Sequence, residues 1–221
     1  IVGGTPLGMQ PVLTEAFVIY AQACKEGRTE CAATEEHIIE VLLEAGAKPE
    51  QLNGRGRTCL PRACLAVEQG GNPKLVERLL EAATDKSQLF AHASSADGWL
   101  PALSYACLAG AAAAVPLTSL LLAAGAKVNE PDHYLQTPLL LAATEASVDV
   151  ACLLLEAAAD VNAADDQGGT PLLKAVGKGK CAMVELHVIG KGPCHVVSEA
   201  QGGRWAFAGG RDGRPLTVIS N

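Results

Sequence analysis

Thr137-Pro138-Leu139-Leu140-Leu141-Ala142 returns 33 residues later as Thr170-Pro171-Leu172-Leu173-Lys174-Ala175, and this self-similarity constrains the chain more than any other feature. Eleven residues before each threonine stands an alanine, Ala126 and Ala159, with Val128-Asn129-x-x-Asp132 and Val161-Asn162-x-x-Asp165 in between. An earlier copy keeps the same offset from Ala47 to Thr58, through Asn53-x-x-Gly56-x-Thr58-Cys59-Leu60-x-x-Ala63. Another, Gly98-Trp99-Leu100-Pro101-Ala102-Leu103-Ser104-Tyr105-Ala106, has Pro101 in the threonine's place. At this period each copy is one supersecondary unit, too small to bury its own apolar face and obliged to stack on its neighbours.

The local chemistry of the unit predicts a helix pair. Threonine can accept a hydrogen bond from an early helical N–H, and proline suits the first helical turn. Leucine and alanine two and five places on then make one buried stripe. The second helix is carried by Val41-Leu42-Leu43, Leu120-Leu121-Leu122 and Leu153-Leu154-Leu155. Gly46 and Gly125 stop it, since a left-handed residue costs least at glycine. Composition agrees: alanine supplies 38 of the 221 residues and aromatics only 4%, which suits thin, closely packed helices better than a β-sandwich or barrel.

These motifs strongly resemble the ankyrin repeat, whose pattern is D-x-x-G-x-T-P-L-H-x-A followed by V-x-x-L-L-x-x-G-A. Asp165 to Ala175 is the best copy. The resemblance implies an all-α ankyrin-repeat solenoid of stacked antiparallel helix pairs joined by hairpin-like loops. Five divergent repeats are laid out at about 14–48, 53–84, 97–128, 132–161 and 165–192. A 1–13 extension precedes them, and a degenerate or truncated repeat at 193–221 follows. In that last stretch Asp212-Gly213-Arg214-Pro215-Leu216 reads as an opening cut off in its first helix. The chain departs from the pattern where Leu140, Leu173 and Pro61 replace the histidine. Extra residues also fall at Arg28 to Thr34 between the helices of copy one, at Glu68 to Pro73 in copy two and at Asp85 to Ala96 before copy three.

Other classes are excluded on chemical grounds. The net charge of -7 gives no coherent basic face for nucleic acid. Eight cysteines in alanine- and leucine-rich surroundings read as small apolar thiols in a reducing compartment, for which a cytoplasmic location is expected. Ile1-Val2-Gly3-Gly4 imitates a serine-protease terminus, but no histidine or serine segment follows that could perform acyl transfer. Cys181, His187, Cys194 and His195 lack the close pairing of a zinc site, so no metal is expected. Residues 98–126 carry no formal charge, long enough to cross a bilayer. Pro101, Gly110, Pro116 and Gly125 instead predict two antiparallel helices joined near Ala114 to Pro116. The paired glycines (70–71, 168–169, 202–203, 209–210) fit turns, since no phosphate-loop pattern surrounds them. Lys174, Lys178 and Lys180 read as a solvated basic cluster.

The resemblance implies a non-catalytic module that binds another protein on its concave face, made of hairpin tips and first helices. No cofactor, nucleic acid, membrane span or small-molecule substrate is expected. The alternative is a regulatory or targeting appendage of a larger enzyme or membrane protein. Positions carried over from the family are Arg55, Arg57, Trp99, His133, Tyr134, Gln136, Asp166 and Gln167 at the tips, and Thr144, Glu145 and Lys178 at first-helix ends. Leu108 and Ala109 are also expected at an exposed helix end, and Leu154 and Leu172 in the core.

Overall fold

A computed structural model of the protein describes residues 12–90, 100–145, 147–177, 205–208 and 215–218. The first helices are α1 (Val12–Lys25), α3 (Leu60–Glu68), α6 (Ala102–Leu108), α8 (Pro138–Glu145) and α10 (Pro171–Gly177). The second helices are α2 (Thr29–Glu44), α4 (Lys74–Ala82), α7 (Ala111–Ala123) and α9 (Val148–Glu156), and a single turn, α5 (Lys86–Leu89), follows α4. First helices form one row in which α1 packs on α3, α3 on α6, α6 on α8 and α8 on α10. Behind it α2 packs on α4 and α7 on α9, so the described array is a two-layer stack of helix pairs. Alanine owes its abundance to this arrangement: Ala63, Ala66, Ala106, Ala142, Ala143 and Ala175 are all buried on first helices, where backbones approach closely.

Sequence sets the starts and stops. Thr137 and Thr170 each accept, through Oγ1, a hydrogen bond of 3.4 Å from the amide three residues on. Thr58 does something else: its hydroxyl donates to the Leu89 carbonyl at 2.7 Å and so fastens α5 to the start of α3. Three of the four second helices end in the left-handed region, at Gly46 (φ +85°), Gly125 (+96°) and, without glycine, Ala158 (+66°), whereas α4 ends in extended backbone at Ala83. Each left-handed stop closes the same way, with the amides of Ala47, Ala126 and Ala159 donating to the carbonyls of Leu42, Leu121 and Leu154.

Four details differ from the sequence expectation. Arg28 to Thr34 does not loop out; α2 begins at Thr29 and the extra residues lengthen it to 16, with the Thr34 hydroxyl bonded to the Glu30 carbonyl. The α6–α7 junction falls at Ala109-Gly110 and Pro116 lies inside α7. Four consecutive alanines, the strongest helix formers, start the helix before the proline is reached. Within the extra segment at Asp85 to Ala96, Asp85 caps α5 by accepting from the Gln88 amide, and Leu89 is fully buried. Leu172, placed in the core by the repeat pattern, is only half-buried.

Farther along, β1 (Trp205–Ala208) pairs antiparallel with β2 (Pro215–Val218), Trp205 opposite Val218 and Ala208 opposite Pro215. Pro215 therefore opens a strand, not the first helix expected of a truncated repeat. Thr217 and Val218 are β-branched, and a proline at a strand's first residue sacrifices no interior ladder bond.

Candidate functional site

Three hairpin tips are built alike. In the first, Asn53 Oδ1 accepts from the amides of Arg55 (2.9 Å) and Arg57 (3.1 Å). In the second, Asp132 Oδ1 accepts from Tyr134 and Gln136, both at 2.8 Å. In the third, Asp165 Oδ1 accepts from Gln167 (3.1 Å) and Gly169 (2.6 Å). Each tip is closed by a backbone bond from the first residue's amide to the fifth residue's carbonyl, and each has its fourth residue at positive φ. That fourth residue is Gly56 (+71°), Leu135 (+58°) and Gly168 (+75°). A short polar side chain that satisfies two amides at once explains why Asn or Asp opens every tip.

Neighbouring tips are also tied to each other. The Asp166 amide donates to the Tyr134 carbonyl at 3.0 Å. Asn129 spans the same two repeats, accepting from the Asp160 amide (2.8 Å) and donating to the Ala158 carbonyl (3.4 Å).

Arg55, Tyr134, Asp166 and Gln167 are exposed on this scaffold, while His133 and Gln136 are half-buried. The His133 ring lies against Tyr134, with centroids 3.8 Å apart. Glu145 is exposed at the end of α8; Thr144 is half-buried and its hydroxyl is spent on the Leu140 carbonyl. Arg57 is corrected: at 2% exposure it is buried, because it closes the tip beside Thr58 and its side chain turns into the stack. Ala109 is buried and Leu108 half-buried, so that helix end is not the exposed one expected. Trp99 and Lys178 lie outside the described residues, as do Lys180 and the Cys181 to His195 group.

Sequence reasoning missed Leu135. It is 52% exposed, adjoins Tyr134, and holds a left-handed backbone that disfavours a leucine. The signal is legible in the sequence, where Leu135 stands at the place of Gly56 and Gly168.

Lys174 does not join a free basic cluster. Its Nζ sits 2.6 Å from Asp165 Oδ2, and this contact, helped by the Gly169 amide, holds the Asp165 carboxyl below the usual carboxylate range. Cys24, Cys31, Cys59, Cys64, Cys107 and Cys152 are free thiols. Burial pushes Cys59 and Cys107 up to about 12, which keeps them protonated and poor nucleophiles. Among the described residues no group of three or more His, Cys, Asp or Glu could hold a metal, and no helix is long and apolar enough to cross a membrane. The tips thus carry varied side chains on a regularly spaced, hydrogen-bonded backbone.

Stacked helix pairs with outward hairpin tips define a repeat solenoid. The family model for ankyrin repeats, in 3 copies, matches residues 63–165 and 103–192, together more than half of the chain, and the protein belongs to the ankyrin-repeat family. No curated protein matches it. Ankyrin repeats are generally protein–protein interaction modules and typically non-catalytic.

Proposed function

We propose that the array binds a partner protein on the side formed by its hairpin tips and first helices, the concave side of such arrays, and performs no chemistry of its own. The observation that carries this reading is the set of matched tips. Their backbones are locked by Asn53, Asp132 and Asp165, which leaves Arg55, Tyr134, Asp166 and Gln167 facing solvent. A pre-ordered backbone lowers the entropic cost of binding, and tyrosine and arginine are the residue types that most often anchor interfaces. His133, Gln136, Thr144 and Glu145 complete the face as flanking contacts. The same reading places the protein in a reducing compartment, supported by the free thiols.

The test replaces Tyr134 and Arg55 with alanine together, both exposed, and compares affinity capture with the unsubstituted protein. Partner recovery should drop several-fold while helical circular dichroism and melting stay unchanged. Undiminished recovery would show that binding uses another face.

A further inference from the structure

The two layers of the stack are not equally continuous. In the row of first helices α3 packs on α6. In the second layer α2 packs on α4 and α7 on α9, but α4 and α7 make no comparable contact. The extra residues after α4, which include the turn α5, fall at this junction. The second layer therefore parts between the second and third repeats, and a groove of about 320 Å³ lies in the gap. Leu80 of α4, with Leu120 and Ala124 at the end of α7, gives it apolar walls. Glu77, Glu81 and Lys86 line the same space, so its charged and apolar side chains stand together. Described helices bound the groove on both sides.

The walls select the occupant. Helices α4 and α7 spend their main-chain hydrogen bonds internally, so an extended strand would find no partner for its amides here. A helix brings its own bonds with it. The volume admits the side chains of one helix face and leaves the helix backbone outside. Charge sets the edges: α7 carries no charged residue, and every charge at the groove comes from α4 and α5. Glu81 is already paired with Arg78, at 3.4 Å. Among the described residues Glu77 and Lys86 make no ion pair, although both line the groove. Glu77 stands one turn before Glu81, and Lys86 lies past the end of α4. The complement is a helix whose apolar stripe is edged, on one side, by a basic residue and an acidic one.

We propose that the groove between α4 and α7 is a second docking surface, which takes an amphipathic helix of a partner protein, its lysine or arginine at Glu77 and its carboxylate at Lys86. The groove is built from second helices and α5, not from the tips and first helices, and its occupancy does not depend on Tyr134 or Arg55.

The probe is a fluorescein-labelled helical peptide of about 18 residues, or five turns. Its leucines stand at i, i+3, i+4 and i+7, with one lysine and one glutamate about two turns apart along one edge of that stripe. A control peptide of equal composition spreads its leucines around the helix. Anisotropy titration against the whole chain should show the amphipathic peptide binding about tenfold tighter than the control. Ala123→Gln, at an exposed position lining the groove, adds neutral bulk and should weaken binding about tenfold. Ala112→Gln, exposed about three turns earlier on α7, should leave it unchanged. Glu77→Lys should weaken binding several-fold, and exchanging the peptide's lysine for glutamate should restore it, a rescue that a folding defect would not give. Lys86→Glu should be rescued in the same way by exchanging the peptide's glutamate for lysine. Equal binding of the two peptides overturns the proposal, as do equal effects of Ala112→Gln and Ala123→Gln or losses at Glu77 and Lys86 that no charge exchange restores. Binding that emerges only after residues 91–99 are replaced by glycine and serine would show the chain itself filling the groove and overturns it too. So does dimerisation in sedimentation that Ala123→Gln abolishes and the peptide cannot compete away.

Discussion

Helices α8 and α10 begin with nearly the same six residues and meet different surroundings. Leu140 is 1% exposed, whereas Leu173, its counterpart, is 60% exposed. Leu139 is buried and Leu172 only half so. The distinction lies in the row: α8 packs between α6 and α10, while α10 has α8 as its first-helix neighbour among the described residues. In a repeat array burial is thus a property of position as well as of motif. Leucine stands at the family's histidine position in both helices, and only in α8 does that apolar side chain gain from burial.

The sharpest way to break this comparison is by truncation. Leu140→Ala should cost about 2 to 5 kcal/mol in urea unfolding, and Leu154→Ala, equally buried in α9, a similar amount. Leu173→Ala should stay within about 0.5 kcal/mol and Leu172→Ala should fall between these limits. Equal losses at Leu140 and Leu173 would mean that α10 is as enclosed as α8.

A second contrast sits at the tips. Lys174 pairs with Asp165, but its counterpart in α8 is Leu141, so Asp132 has no lysine in that position. Because the folded state depresses the Asp165 carboxyl, its contribution to stability is complete above the unfolded carboxylate range, near pH 4. It is lost as pH falls through the lower folded value. Lys174→Leu removes the largest cause of the depression and should move the acid-unfolding midpoint to higher pH; an unmoved midpoint would show that the pair does not stabilise the fold.

The smallest effects concern backbone. Leu135→Gly relieves a left-handed leucine where Gly168 stands in the next tip, and should raise stability by about 0.5 to 1 kcal/mol. Ala158→Gly, at the position of Gly125, should act in the same direction. Thermal melting checks both, and a drop in melting temperature for Leu135→Gly would show that the leucine side chain packs more than its exposure suggests.

Most of the helix punctuation was legible because it is local. Thr-Pro starts, glycine stops and the Asx-opened tips each depend on residues within five of one another. What escaped was decided across repeats. Thr58 gave its hydroxyl to Leu89, 31 residues on, and Arg57 turned inward beside it, an outcome no single copy encodes. The missing N–H of Pro116 is a local cost that signals a break, yet the alanine run ahead of it commits the helix before the proline is reached.

The backbone tie from Asp166 to Tyr134 also sets the rules by which such a protein can change. Every bond that holds this tip uses main-chain atoms of residues 134 to 136 or the Asp132 side chain, and the next repeat borrows one of those carbonyls. One inserted residue would break its own loop and its neighbour's anchorage together. The side chains of Tyr134 and Leu135 take part in none of these hydrogen bonds. The surface presented here can drift by substitution, letter by letter, while the length of the loop stays fixed.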